Sequence, residues 1–191
     1  MSEVSLTVAT AQEMRALGRS LATVLRAGDL VILSGGLGAG KTTLTKGIGD
    51  GLAVRGPITS PTFVIARVHP PVGSTAATGE LRPALVHADA YRLGSVLELD
   101  DLDLDTDTAA SVTVVEWGEG LAEGLAANRL EITLTPEAGA AGEGPDGGTA
   151  AGPQGDPDDP TVDLPRTVRI SPVGARWEGI KLPLASLADR L

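Results

Sequence analysis

Leu30-Val31-Ile32-Leu33-Ser34-Gly35-Gly36-Leu37-Gly38-Ala39-Gly40-Lys41-Thr42 is the stretch that decides the fold. Its first four residues are a wholly apolar run between Asp29 and Ser34, the pattern of a strand buried on both faces. Gly35 to Thr42 then fits G-x-x-x-x-G-K-[ST] without a mismatch. Thr42 to Leu52 reads as a helix. A buried strand, a glycine-rich turn and a helix in succession are the context in which this motif binds phosphate. The glycines let backbone N–H groups turn inward around phosphate oxygens, and the helix adds its positive N-terminal end. Lys41 would reach the β- and γ-phosphates, and the Thr42 hydroxyl would ligate Mg²⁺. The expected ligand is therefore a nucleotide's phosphates, such as those of ATP or ADP, with Mg²⁺. The expected fold is α/β: a P-loop NTPase-like three-layer sandwich, with a central, mostly parallel sheet flanked by helices.

The rest of the chain agrees with such a sheet. Val4 to Val8 alternates loosely as a strand. Thr10-Ala11-Gln12-Glu13 reads as a capping box opening a helix over Ala11 to Arg26, with Met14, Leu17, Leu21 and Leu25 at helical spacing and Gly28 at its end. Further strands are expected at Phe63–Val68, Ala84–Ala88, Val112–Val115, Leu130–Leu134 and Arg166–Ile170. Pro70–Pro83 reads as a loop, Val96–Leu104 as a short helix and turn, and Leu182–Leu191 as a C-terminal helix. Pro136 to Pro160 holds seven Gly, five Pro and six acids with no Val, Ile, Leu, Met or aromatic residue. It cannot bury enough apolar surface to offset its ordering entropy, so it reads as a disordered insertion between two strands of one sheet. Too few residues follow it for an independent core, and residues 1–191 read as a single domain.

Composition excludes several classes. The net charge of −10 argues against a broad basic face that grips nucleic acid, so no direct DNA binding is expected. The absence of cysteine removes disulfides, Cys zinc sites, Fe–S clusters and a Cys nucleophile. Met1–Ala11 lacks the features of a signal peptide, and no apolar run is long enough to span a membrane, so a cytoplasmic chain is expected.

A phosphate loop of this kind needs an acid at the end of a neighbouring buried strand. Glu116 closes Val112-Thr113-Val114-Val115-Glu116, and Asp89 closes Ala84-Leu85-Val86-His87-Ala88-Asp89. In an open α/β sheet the ligand lies off the carboxyl ends of the strands, so both acids can point into one crevice. One would serve the Mg²⁺ shell; the other would orient the attacking water or accept its proton. Asp100, Asp101, Asp103, Asp105 and Asp107 read as a solvated face, lacking the Gly and terminal Glu of a Ca²⁺ loop. Ser60-Pro61-Thr62-Phe63 lies where such proteins sense the γ-phosphate, with an ordinary loop-to-strand turn as the competing account. His69 and His87 carry no partner pattern. Trp117 follows Glu116 and is expected near the nucleotide, whereas Trp177 reads as structural. N-K-x-D is absent, since the one Asn, Asn128, precedes Arg129, and the twelve Arg form no lid-like cluster. An ATPase switching a partner fits better than a small-molecule kinase, but the residues alone leave both open, together with a nucleotide-dependent binding module of negligible turnover.

Gly35–Thr43 as G-G-L-G-A-G-K-T-T, Ser60-Pro61-Thr62-Phe63, His87-Ala88-Asp89-Ala90-Tyr91-Arg92-Leu93 and Val115-Glu116-Trp117, in this order, resemble the TsaE family, the small bacterial P-loop ATPases of tRNA threonylcarbamoyladenosine biosynthesis. The resemblance covers Val4 to Leu134 and the Arg166–Ile170 strand. It implies weak ATP hydrolysis supporting threonylcarbamoyl transferase subunits of the TsaD and TsaB type, which modify adenosine 37, with tRNA met only through those subunits. It also implies Lys41, Asp89 and Glu116 as catalytic residues. Gly35, Gly38, Ala39, Gly40, Lys41, Thr42, Thr43, Thr62, Asp89 and Trp117 become nucleotide contacts, with Thr10, Glu119 and Arg166 near them. Thr42, Glu116 and Asp89 serve the metal. The Pro136–Pro160 insertion is not a feature of that family.

Overall fold

The computed structural model describes residues 3–61, 65–73, 82–91, 110–137 and 165–184. In chain order the elements are β1 (Val4–Val8), α1 (Ala11–Ala22), β2 (Leu30–Gly35), α2 (Lys41–Leu52), β3 (Ala66–His69), β4 (Ala84–Asp89), β5 (Ser111–Glu116), β6 (Arg129–Pro136) and β7 (Arg166–Val173). The strands form one sheet in the order β1-β7-β6-β2-β5-β4-β3. Its centre is parallel, β6 with β2, β2 with β5 and β5 with β4. The flanks are antiparallel, β1 with β7, β7 with β6 and β3 with β4. This is the expected fold class, with the glycine-rich turn at the carboxyl end of a central strand.

Alternation along the strands divides the core. Val31, Leu33, Leu85, Val112, Val114, Ile132 and Ile170 face both described helices and pack on Leu17, Leu21, Leu44 and Ile48. Leu30, Ile32, Val86, Ala88 and Val115 face the other way and are covered by Leu121, Ala122 and Leu125 of a short turn. The helices approach closely where both carry glycine. A Cβ on Gly18 of α1 would lie 2.7 Å from the Ile48 nitrogen and 2.8 Å from the Gly47 carbonyl carbon of α2. Trp177, fully buried in the helix-side core, is structural as expected.

Several boundaries differ from the sequence reading. Helix α1 stops at Ala22, not Arg26; the N–H groups of Val24 and Leu25 both donate to Leu21 O in a closing turn. Leu25 stays buried, which is why its periodicity extended the expected helix. Gly28 does not cap α1: at φ +87° it turns the chain into β2, and its N–H donates to Ser111 O at 2.8 Å. Thr10 does accept from the Glu13 N–H at 3.1 Å. Glu13, however, reaches one residue beyond the expected partner, its Oε2 accepting from Ala9 N at 2.7 Å. β3 begins at Ala66; Phe63 and the rest of residues 62–64 lie outside the described residues. So do residues 74–81, the acidic 92–109 segment and residues 138–164. The last of these joins β6 to β7, neighbouring antiparallel strands. Residues 182–184 are not helical, and 185–191 lie outside the description. Among the described residues, no helix is long and apolar enough to cross a membrane.

Candidate functional site

The parallel register brings three strand ends level: Leu33 stands beside Glu116, and Glu116 beside Asp89. All three continue the rows facing the helices. One step back along the strands lies the row Val31, Val114, His87. Glu116 and Asp89 are only 2% and 3% exposed, so these carboxylates need polar partners from the surrounding loops.

The turn Gly35–Gly40 carries the chain into α2, whose Thr42 supplies one. Gly35 has φ +138°, and a side chain there would run into the Leu134 carbonyl of neighbouring β6. Gly38 and Gly40 also have positive φ, and Gly40 enters α2 without lending a side-chain cap. Ala39 is buried, its N–H donating to Gly36 O at 3.2 Å. Lys41 folds back across the turn. Its Nζ donates to the carbonyls of Gly35 and Gly36, both at 2.9 Å, and lies 3.6 Å from the centre of the Trp117 ring. Burial pushes the Lys41 ammonium below its ordinary pKa, against the opposing pull of the Glu116 and Asp89 charges. Thr42 donates from Oγ1 to both Glu116 oxygens, at 2.9 and 3.1 Å.

Asp89 accepts from the Tyr91 N–H at 2.8 Å, and the Ser60 hydroxyl stands 3.5 Å from its other oxygen. Trp117 adopts φ +59°, an uncommon backbone for a bulky residue. It is held there by its N–H bond to Leu33 O at 2.8 Å and by the Tyr91 ring, 5.1 Å away. This strained turn aims the indole at Lys41. Arg166 opens β7 and donates to Gly38 O at 3.3 Å, so the far side of the sheet reaches the loop as well. Thr10 caps α1, whose first turn abuts the loop: a Cβ on Gly40 would lie 3.5 Å from Met14 Cε. Thr43 stands in the first turn of α2. Glu119 is exposed on the turn after Trp117 and does not join this cluster among the described residues. Thr62 lies outside the described residues.

One member escaped the sequence reading. His87, fully buried, places Nε2 2.7 Å from Glu116 Oε1. Its spacing two residues before Asp89 on one strand was the available signal. Only the β4–β5 register turns that spacing into a contact with Glu116.

These elements define an α/β protein built on a strand, glycine turn and helix, with two buried acids at adjacent strand ends. Residues 8–142 match the family described as "Threonylcarbamoyl adenosine biosynthesis protein TsaE". The chain belongs to the TsaE family. It is 50% identical over 165 residues to the tRNA threonylcarbamoyladenosine biosynthesis protein TsaE of Streptomyces coelicolor, covering 86% of this chain and 93% of that one. It is 50% identical over 134 residues to the protein of that name from Mycobacterium tuberculosis, covering 67% and 76% of the two chains. The Bacillus subtilis relative is 34% identical over 135 residues, covering 70% and 78%. The fold matches the crystal structure of Bacillus subtilis YdiB with a TM-score of 0.60 at 24% identity, covering 99% of this chain and 96% of that one.

Proposed function

We propose that the chain binds Mg-ATP at Gly35–Thr42 and hydrolyses it weakly, in support of threonylcarbamoyl transfer to adenosine 37 of tRNA. The observation that carries this reading is the convergence of Lys41, Thr42, Glu116 and Asp89 from three elements onto one loop.

The residues suit a nucleotide with its metal. The Thr42 hydroxyl and Glu116 carboxylate are hard oxygen donors already in contact. Among the described residues there is no group of three or more His, Cys, Asp or Glu able to hold a metal ion. Few protein ligands and a share from substrate phosphates is the habit of Mg²⁺. Bound there, Mg²⁺ would neutralise charge on the β- and γ-phosphate oxygens. Lys41 exchanges the Gly35 and Gly36 carbonyls for phosphate oxygens. Thr42 and Glu116 hold the cation, Glu116 through its free lone pairs. Asp89, beside Glu116, orients the attacking water. Gly35, Gly38, Ala39, Gly40 and Thr43 line the phosphates, and Trp117 and Arg166 bound the nucleotide from opposite sides.

The partners in this reading are transferase subunits of the TsaD and TsaB type. The acidic chain leaves tRNA to them, and the setting is the cytoplasm. The test is Mg²⁺-dependent ATP hydrolysis by the purified chain, with and without those subunits. Slow turnover that accelerates with them supports the reading. Glu116→Ala then abolishes turnover while leaving ADP binding, because Lys41 and the backbone remain. ADP binding with no hydrolysis in either condition overturns the ATPase assignment, and phosphate transfer to an acceptor other than water would make the chain a kinase.

A further inference from the structure

Among the described residues at the strand ends, His87 is a fully buried polar side chain that the proposed mechanism does not use. We infer that His87 is a positioning residue, whose Nε2–H fixes the Glu116 carboxylate in the orientation that meets Thr42 and the metal; this rests on the functional reading above.

His87 stands in an apolar row beside Val114 and Val31, with no exposed surface. A polar ring in that place costs stability unless it is hydrogen-bonded. Its Nε2 lies 2.7 Å from Glu116 Oε1, while Nδ1 is buried without a hydrogen-bond partner. A carboxylate only accepts, so the bond runs from Nε2–H to Glu116 Oε1. One good bond from a ring that leaves its other nitrogen unsatisfied is a poor device for stability alone. It is a good device for direction.

Glu116 has rotatable bonds between its backbone and its carboxylate, and the imidazole has a fixed place on a central strand. Oε1 receives both His87 and Thr42, and Oε2 receives Thr42 alone. Two donors from different elements thus set the carboxylate plane, leaving lone pairs on both oxygens for a cation or its waters. Partners that hold a metal-binding group in this way change metal affinity or activity about 10–100-fold when removed.

The test compares His87→Leu, His87→Gln and His87→Asn in the full chain. Gln can place an amide N–H where Nε2 stands; Asn is too short. Affinity for a fluorescent ADP analogue is measured in EDTA and in Mg²⁺, and ATP hydrolysis is measured with the transferase subunits present. The expected result is a Leu variant that binds the analogue in EDTA within about twofold of wild type. Its Mg²⁺-dependent gain in affinity and its kcat fall about 10–100-fold, while KM moves little. Gln recovers most of both losses and Asn does not. In a Glu116→Ala background, where turnover is already gone, His87→Leu lowers the affinity for the analogue in Mg²⁺ no further.

Equal losses in EDTA and Mg²⁺, no rescue by Gln, or a full additional loss in the Glu116→Ala background would assign His87 to packing and overturn the inference. Wild-type behaviour of His87→Leu in a chain that hydrolyses ATP also overturns it, with the ATPase reading intact. Failure of the wild-type chain to bind the analogue or hydrolyse ATP would instead sink the functional reading. Thermal unfolding of each variant guards the comparison, and the Gln variant keeps the test decisive if Leu does not fold.

Discussion

Replacing Gly18 by Ala tests whether the helix crossing sets the position of the glycine turn that opens α2. A new methyl would meet three backbone atoms of α2: the Leu44 carbonyl oxygen, the Ile48 nitrogen at 2.7 Å and the Gly47 carbonyl carbon at 2.8 Å. Ordinary contact begins at 3.4 Å, so the helices must separate by at least about 0.7 Å. Backbone atoms in a regular helix cannot rotate away as a side-chain end would. Overpacking of this kind costs about 1–3 kcal/mol, and the upper half of that range applies. Alanine returns about 1 kcal/mol through its better helix propensity. The net loss is about 1–2 kcal/mol, or roughly 2–8 °C in Tm for a chain of this size. The assay is thermal or urea unfolding beside Gly124→Ala, where a Cβ meets nothing within 4 Å and stability should hold or rise slightly. Because α2 begins with Lys41 and Thr42, its displacement also strains the 2.9 Å contact between Thr42 and Glu116. A Gly18→Ala variant as stable as wild type, or more so, would refute the reasoning.

Three further outcomes follow from the same geometry. Arg166→Ala removes the exposed donor to Gly38 O and should weaken ADP binding about 3–10-fold, on the order of one ordinary hydrogen bond; isothermal titration reads it, and unchanged affinity would leave Arg166 outside the site. Trp177→Phe leaves Trp117 as the sole tryptophan, stacked on Lys41 at 3.6 Å; its emission should change on adding ADP with Mg²⁺, as Lys41 turns to phosphate, and a flat titration despite binding would disprove that movement. Asp29, buried against Arg176, has its pKa raised chiefly by burial, only partly countered by its bonds from Arg26 and Arg176. A folded-state value above the unfolded one means that the native state holds the proton longer, so stability falls as pH rises from about 4 through the folded value; wild type should therefore lose stability relative to Asp29→Asn across that window, and parallel unfolding curves would contradict it.

The glycine turn was legible because its constraints are local. A buried apolar strand, glycines free to take positive φ, and Lys-Thr at a helix start need no distant partner. Thr10 as a cap and most strands were legible for the same reason, since local bonding or alternation decides them. Helix α1 was read four residues too long because Leu25 is buried by a turn, and burial alone does not separate a turn from another helical residue. Glu116 and Asp89 were legible as strand ends, but their adjacency was not. It follows from β4 pairing with β5 in one register, and a slip of one residue would send one acid to the opposite face. His87 looked partnerless for that reason: its partner is 29 residues away, beyond any local pattern. The same holds for Arg166, which reaches Gly38 across 128 residues because β7 lies two strands from β2. The sequence by itself determined the glycine turn and the buried strand and helix on either side of it. Tertiary structure decided which acids, which histidine and which arginine surround it, because pairing between distant strands is set by the packing of the whole sheet.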